Sequence, residues 1–237
     1  MTQFTEYNDV IFDAFCLHNK RSDIIDRKQD IINKIGDYYN SSPDSILYVG
    51  FNPAILAAKT KEIYVSSVSD RVLAWIRSQG VNALLIDQPK QFDLVVALDE
   101  YLTFAETEQD QKSLISQLCG LSKGLVVTTV KDYKNQDFKD REYSQPAIIK
   151  SNNKLTAFTE IHDWDQRDKN VWTTSIYQLS GMESTCRGQF NRRTLFFKQL
   201  AKFSIDAGAG SFLVHKNIMY KSIVKKNYEH VISMQFQ

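Results

Sequence analysis

Three short apolar runs constrain this chain more than any other feature: Ile46–Val49 (ILYV), Phe92–Leu98 (FDLVVAL) and Leu125–Thr129 (LVVTT). Each has strand length, and none alternates polar with apolar side chains. A strand that is apolar on both faces must be covered on both, and helices are the usual cover of a parallel sheet. Helical patterns do fall between such runs. Asp70–Gln79 puts Val72, Leu73 and Ile76 on one face and ends at Gly80, and Glu108–Leu121 does the same with Leu114, Ile115, Leu118 and Leu121. Glu62–Ser66 and Ala83–Ile86 add two further strands. The alternation predicts an α/β fold with a doubly wound, mostly parallel sheet.

Both ends depart from this alternation. Residues Glu6–Asn40 read as helical in two parts, the first with Val10, Ile11, Ala14 and Phe15 on one face, the second carrying a stripe from Ile24 to Tyr39. We read 1–44 as an N-terminal helical segment packing on the core, and 45–237 as the main domain. After the fifth strand, Lys131–Arg141 is polar and reads as a loop or short helix. Lys154–Ile161 and Val171–Leu179 read as an antiparallel hairpin inserted at about 154–179, joined by the charged loop His162–Asn170. Arg192–Asp206 reads as a helix with Phe196, Leu200, Phe203 and Ala207 sharing a face, closed by Gly208. Finally, Phe212–Val224 and Tyr228–Phe236 are separated only by Lys225–Asn227, so they must pair antiparallel.

Composition excludes little. The chain has 237 residues, 43% hydrophobic and 24% charged, with a formal net charge of +1, which gives no global attraction to nucleic acid or membrane. Charge is uneven: Asp87–Asp110 is mostly acidic and Arg187–Lys226 basic, which makes the 187–226 region a candidate surface for an acidic partner. The simpler reading takes Arg187, Arg192, Arg193, Lys198 and Lys202 as the solvent face of the helix, with Phe190, Phe196 and Phe197 as core. Cys16, Cys119 and Cys186 are odd in number and far apart, as expected of reduced thiols inside a cell. No signal pattern or membrane-length apolar run appears, so a cytoplasmic location without membrane contact is expected. The four histidines have no metal-site spacing, and there is no Walker loop or nucleophile elbow. His162-Asp163-Trp164-Asp165 reads as a solvated hairpin tip rather than an acid–base site.

The corner at Ser45–Ala58 (SILYVGFNPAILAA) carries the chemistry. A buried strand runs into Gly50, and Pro53 suits the first turn of a following helix, as at the opening of a βαβ nucleotide-binding unit. The usual second and third glycines are replaced by Asn52 and Ala54, and Asn52 suits a helix cap. Taken with FDLVVALDEYLTF, LSKGLVVTTV and the closing strand pair, the order from Ser45 to Phe236 resembles a class I methyltransferase, the seven-strand fold that binds S-adenosylmethionine. The chain would be a divergent member.

That resemblance implies a last strand inserted antiparallel beside the sixth. It also implies S-adenosylmethionine as cofactor at the C-terminal strand ends, near Gly50, Asn52, Ser66, Ser67, Asp87 and Asp99. Gly50 matches the loop glycine that admits the methionine portion. Ser66 and Ser67 stand where the family carries a ribose-binding acid. Asp87 matches the acid near adenine, and Asp99 lies beside the reacting methyl. Two functions follow: a divergent methyltransferase acting on a protein, nucleic acid or small molecule, or a methyltransferase-like binding or assembly module without catalysis. The hairpin, anchored by Trp164 and Trp172, is expected to overhang the strand ends. Gly50→Val is expected to abolish cofactor binding and leave the fold largely intact.

Overall fold

The structure, a computed structural model, describes residues 3–40, 42–86, 90–133, 140–151, 154–224 and 228–236, with the backbone alone at Tyr228. Five strands run parallel: β1 (Ser45–Val49), β2 (Glu62–Ser66), β3 (Ala83–Leu85), β4 (Phe92–Ala97) and β5 (Ser122–Val130). The last two in the chain, β11 (Ser211–Lys221) and β12 (Tyr228–Gln235), complete a seven-stranded sheet of order β3-β2-β1-β4-β5-β12-β11. β12 is antiparallel to both its neighbours. The turn Lys225–Asn227 lies outside the described residues, but its flanks pair as expected, from Ser211 with Gln235 to Lys221 with Tyr228. Every residue of the interior strand β1 is buried, as its apolar sequence requires.

Near the N-terminal strand ends, Asp93 joins three strands. Its carboxylate accepts bonds from the backbone N and Oγ of Ser45, both 2.9 Å, and lies 3.1 Å from Lys123 Nζ. Gly124 allows the close approach there, since a Cβ would come within 2.6 Å of the Asp93 carbonyl oxygen.

Helix α1 (Gln3–Leu17) is followed by α2 (Arg21–Tyr38), α3 (Asp70–Ser78), α4 (Glu108–Gly120) and α5 (Phe197–Asp206). The β1–β2 and β4–β5 connections step in opposite directions across the sheet. Right-handed crossovers therefore put the turn after β1 on one face and α4 on the other. The segment after Pro53 forms only a short 3₁₀ turn, Pro53–Ala57, and α2 packs against it. Thr107 and Asp110 form a reciprocal capping box that starts α4, and α4 packs on α5.

The expected hairpin is the middle of something larger. β6 (Arg141–Tyr143), β7 (Ala147–Ser151), β8 (Lys154–Trp164), β9 (Val171–Ser180) and β10 (Glu183–Arg193) form a second, antiparallel sheet of order β10-β9-β8-β6, with β7 also on β8. Of the polar stretch Lys131–Arg141, residues 134–139 lie outside the described residues. The helix read from Arg192 starts only at Phe197, because residues 183–193 extend as β10. Arg192 and Arg193 therefore pair with Trp172 and Val171 in a sheet, while Lys198 and Lys202 do lie on an exposed helical face. Trp164 and Trp172 are buried with ring centroids 4.7 Å apart, and Tyr133, just past β5, lies 5.5 Å from Trp172. The second sheet thus covers the C-terminal end of the first.

Candidate functional site

The strand order reverses between β1 and β4, and in open α/β sheets the crevice beyond such a switch point is the ligand site. β1 delivers Gly50 there, β2 delivers Ser66 and Ser67, and β4 delivers Asp99. Gly50 has φ +86°, and its N–H donates to the Ser66 carbonyl at 2.8 Å. Asn52 is buried and caps the 3₁₀ turn, accepting from Ala54 N at 3.0 Å, while its Nδ2 has no partner. Ser66 and Ser67 are half-buried, Ser67 with φ +55°. Asp87 lies outside the described residues.

What lies over this crevice is α1. A Cβ at Gly50 would come within 2.6–2.8 Å of the Asn8 amide and the Phe4 ring. Asn8 Oδ1 accepts from Phe51 N at 2.8 Å, and its Nδ2 donates to Phe4 O at 2.7 Å. Phe12 and Phe15 pack edge-on or tilted against Phe51 and Trp75. Asp9 accepts from Ser69 Oγ at 2.6 Å and pairs with Arg71, which places a carboxylate two residues beyond the Ser66–Ser67 corner. The far face of α1 meets the second sheet: Arg187 bonds Asp13 at 2.6 Å, and the Tyr7 ring lies 5.4 Å from that of Phe190. The sequence gives no direct signal of this placement, because the stripe on α1 fits any apolar surface. It also corrects one expectation. Gly50→Val would strike α1 and strain a left-handed residue, so it would not spare the fold.

Beyond Gly50, the end of β4 gathers buried charge. Asp99 and Glu100 are consecutive, both about 3% exposed and both left-handed, with φ of 56° and 54°. Such conformations cost about 1–3 kcal/mol each and concentrate at functional sites. Asp99 Oδ2 accepts from Tyr220 Oη at 2.6 Å, and its buried Oδ1 has no hydrogen-bond partner among the described residues. Lys28 of α2 donates to the Lys221 carbonyl, and its ammonium lies 3.2 Å from the Tyr220 ring centre. Burial pushes its pKa down to about 7, against the pull of Asp99 and Glu229. Burial, with Asp99 beside it, pushes the Tyr220 hydroxyl well above its usual value.

On the other side of Asp99, Glu100 accepts from Tyr133 Oη at 2.7 Å. Arg192 is 2% exposed, stacks 3.9 Å over Phe104 and donates to Thr103 Oγ1 at 2.8 Å. Burial alone would depress its pKa, but Tyr7, Glu100, Glu160 and Tyr133 together raise it and keep it charged. Glu160 also bonds Tyr7 and His162, the latter at 3.1 Å. His162 and Trp164 are therefore buried rather than at a solvated tip, which is made by Asp165 and the residues after it. Arg187 and Arg193 are tied to Asp13 and Asp168, so the basic tract is largely engaged within the fold. Among the described residues no cluster could hold a metal ion, and no helix is long and apolar enough to cross a membrane.

The fold is that of the class I methyltransferases. No protein-family model and no curated protein sequence matches the chain. Solved structures do. DesVI of Streptomyces venezuelae is similar over 97% of this chain and 98% of its own, with a TM-score of 0.70 at 12% identity. CalS10, an S-adenosylmethionine-bound amino pentose methyltransferase from Micromonospora echinaspora, is similar over 90% and 91%, with 0.64 at 12%. An S-adenosylmethionine-dependent methyltransferase from Clostridium acetobutylicum is similar over 89% and 91%, with 0.63 at 14%.

Proposed function

We propose that the chain is an S-adenosylmethionine-dependent methyltransferase whose cofactor crevice is gated by α1. The observation that carries this reading is the strand order β3-β2-β1-β4-β5-β12-β11 with its antiparallel β12, common to a fold that other proteins use with this cofactor. Two features of the crevice fit such a ligand: the left-handed glycine corner at Gly50, and the buried Oδ1 of Asp99, unpartnered among the described residues. With Asn8 and Phe4 against Gly50, the loop admits no ligand until α1 shifts.

When bound, the cofactor supplies an already activated methyl group, so the protein's task is to hold, align and keep dry. Gly50 would offer its backbone, and Asp99 a hydrogen-bond acceptor near the reacting end. Asp9, bonded to Ser69 Oγ, would bring a carboxylate to the neighbourhood of the missing ribose acid at Ser66 and Ser67. Lys28, whose proton is loosely held near neutral pH, lies next to Asp99 through Tyr220.

Gating makes the apparent affinity the intrinsic one multiplied by the open fraction. Asn8→Ala removes the bond to Phe51 and loosens the contact on Gly50. It should therefore tighten binding of S-adenosylmethionine and its demethylated product, by about tenfold for each ~1.4 kcal/mol of docking lost. Calorimetric titration of wild type and Asn8→Ala reads this directly. Absence of heat from both proteins at high ligand concentration overturns the proposal. The filled crevice would then be the permanent seat of α1, and the chain a binding or assembly module.

A further inference from the structure

A second concavity of about 410 Å³ lies between α2, β7 and the end of β11, and meets the Asp99 end of the crevice through Lys28 and Tyr220. Its volume is within the range of small-molecule sites. Part of its wall is apolar, made by Ile24 and Ile31 of α2 with Ile148 and Met219, which are 60% and 37% exposed. Its charge is one-sided. Arg27, Lys28, Lys34 and Lys221 line it together with one acid, Asp30, which Lys34 binds at 2.6 Å. His18, also on the wall, has its pKa lowered by burial and then by Arg27 and Arg21, as expected where the local potential is positive. β11 breaks register between His215 and Met219, and the unpaired Asn217 and Ile218 line the cleft with Met219, where pairing resumes. Bulges of this kind are common where a strand re-aims side chains at a site.

We propose that this cleft binds a small anion with an apolar body, its charge against Arg27 and Lys34, the latter exchanging Asp30 for the ligand, and its body against Ile31, Ile148 and Met219. Charge-assisted bonds from Arg and Lys suit a phosphate, carboxylate or sulfonate equally. The small volume favours a small molecule over a nucleic-acid strand, which needs an extended groove. The inference goes beyond the methyltransferase reading and does not depend on it.

The test uses two fluorescent probes with the same aromatic body: the anionic 1-anilinonaphthalene-8-sulfonate and the uncharged N-phenyl-1-naphthylamine. The full chain should bind the sulfonate saturably at one site. Arg27→Glu with Lys34→Glu, at two exposed positions, should weaken it at least tenfold without changing the melting temperature much. The uncharged probe should bind more weakly to wild type and respond little to the charge reversal. Met219→Trp, which fills the cleft, should reduce binding of both. Absence of saturable binding, equal binding by the charge-reversed protein, or tighter binding of the uncharged probe overturns the proposal. Because no cofactor is present, failure here is distinct from failure of the cofactor titration.

Discussion

Gly50 concentrates two separate constraints. Its φ of +86° disfavours any side chain, and the space a Cβ needs already holds Asn8 and Phe4. Gly50→Ala should therefore destabilise by roughly 2–5 kcal/mol, the sum of backbone strain and overpacking, measurable in urea unfolding. The run ILYV followed by glycine and Asn-Pro made the corner legible, because backbone requirements leave a local mark. That α1 is what touches Gly50 was not legible, since the contact joins residues about forty apart through an amide that any polar position could carry.

Lys28 illustrates the same limit, reading in sequence as one more lysine on an amphipathic helix. Its pKa falls from the unfolded value near 10.4 to about 7. Between these values the unfolded chain holds the extra proton, so stability from this group rises with pH across that window. The penalty is complete below pH 7. The slope is at most about 1.4 kcal/mol per pH unit, and Lys28→Met should flatten it in urea melts between about pH 7 and 9.

Among the elements, those with an apolar run or period were readable, β2, α3, α4 and the β8–β9 pair among them, and β10, which has neither, was not. β1, β4 and β5 must be covered on both faces, which dictates their composition. β10 reads ESTCRGQFNRR because most of it faces solvent and its three arginines lie against carboxylates, leaving Phe190 as its one buried apolar side chain, so no apolar period marks it. Its arginines then pass for the polar face of the helix that follows.

The two readings of Arg192 differ in consequence. On a solvent face, Arg192→Ala would cost little. Buried in β10 near Glu100 and Glu160, its loss leaves carboxylates without a compensating charge and should cost about 3–5 kcal/mol. The exposed Lys198→Ala should stay within about 0.5 kcal/mol in the same chemical melt.

At the scale of the molecule, the chain's first helix is held by parts made much later. Gln3 accepts from the backbone N of Asn191, 188 positions on, and Asp13 binds Arg187, 174 positions on. At roughly 5–20 residues per second of synthesis, α1 waits about 10–40 s before the half of its seat made by β10 exists. During that interval Phe15 already has Phe51 and Trp75 to cover it, but Tyr7, fully buried in the finished fold, lacks Glu160 and Phe190. Nascent chains halted before β10 should be cut by protease within 3–17 and resist after β10 has cleared the ribosome. α1 is thus a closing element in time as well as in space: made early, and fully docked only when β10 arrives.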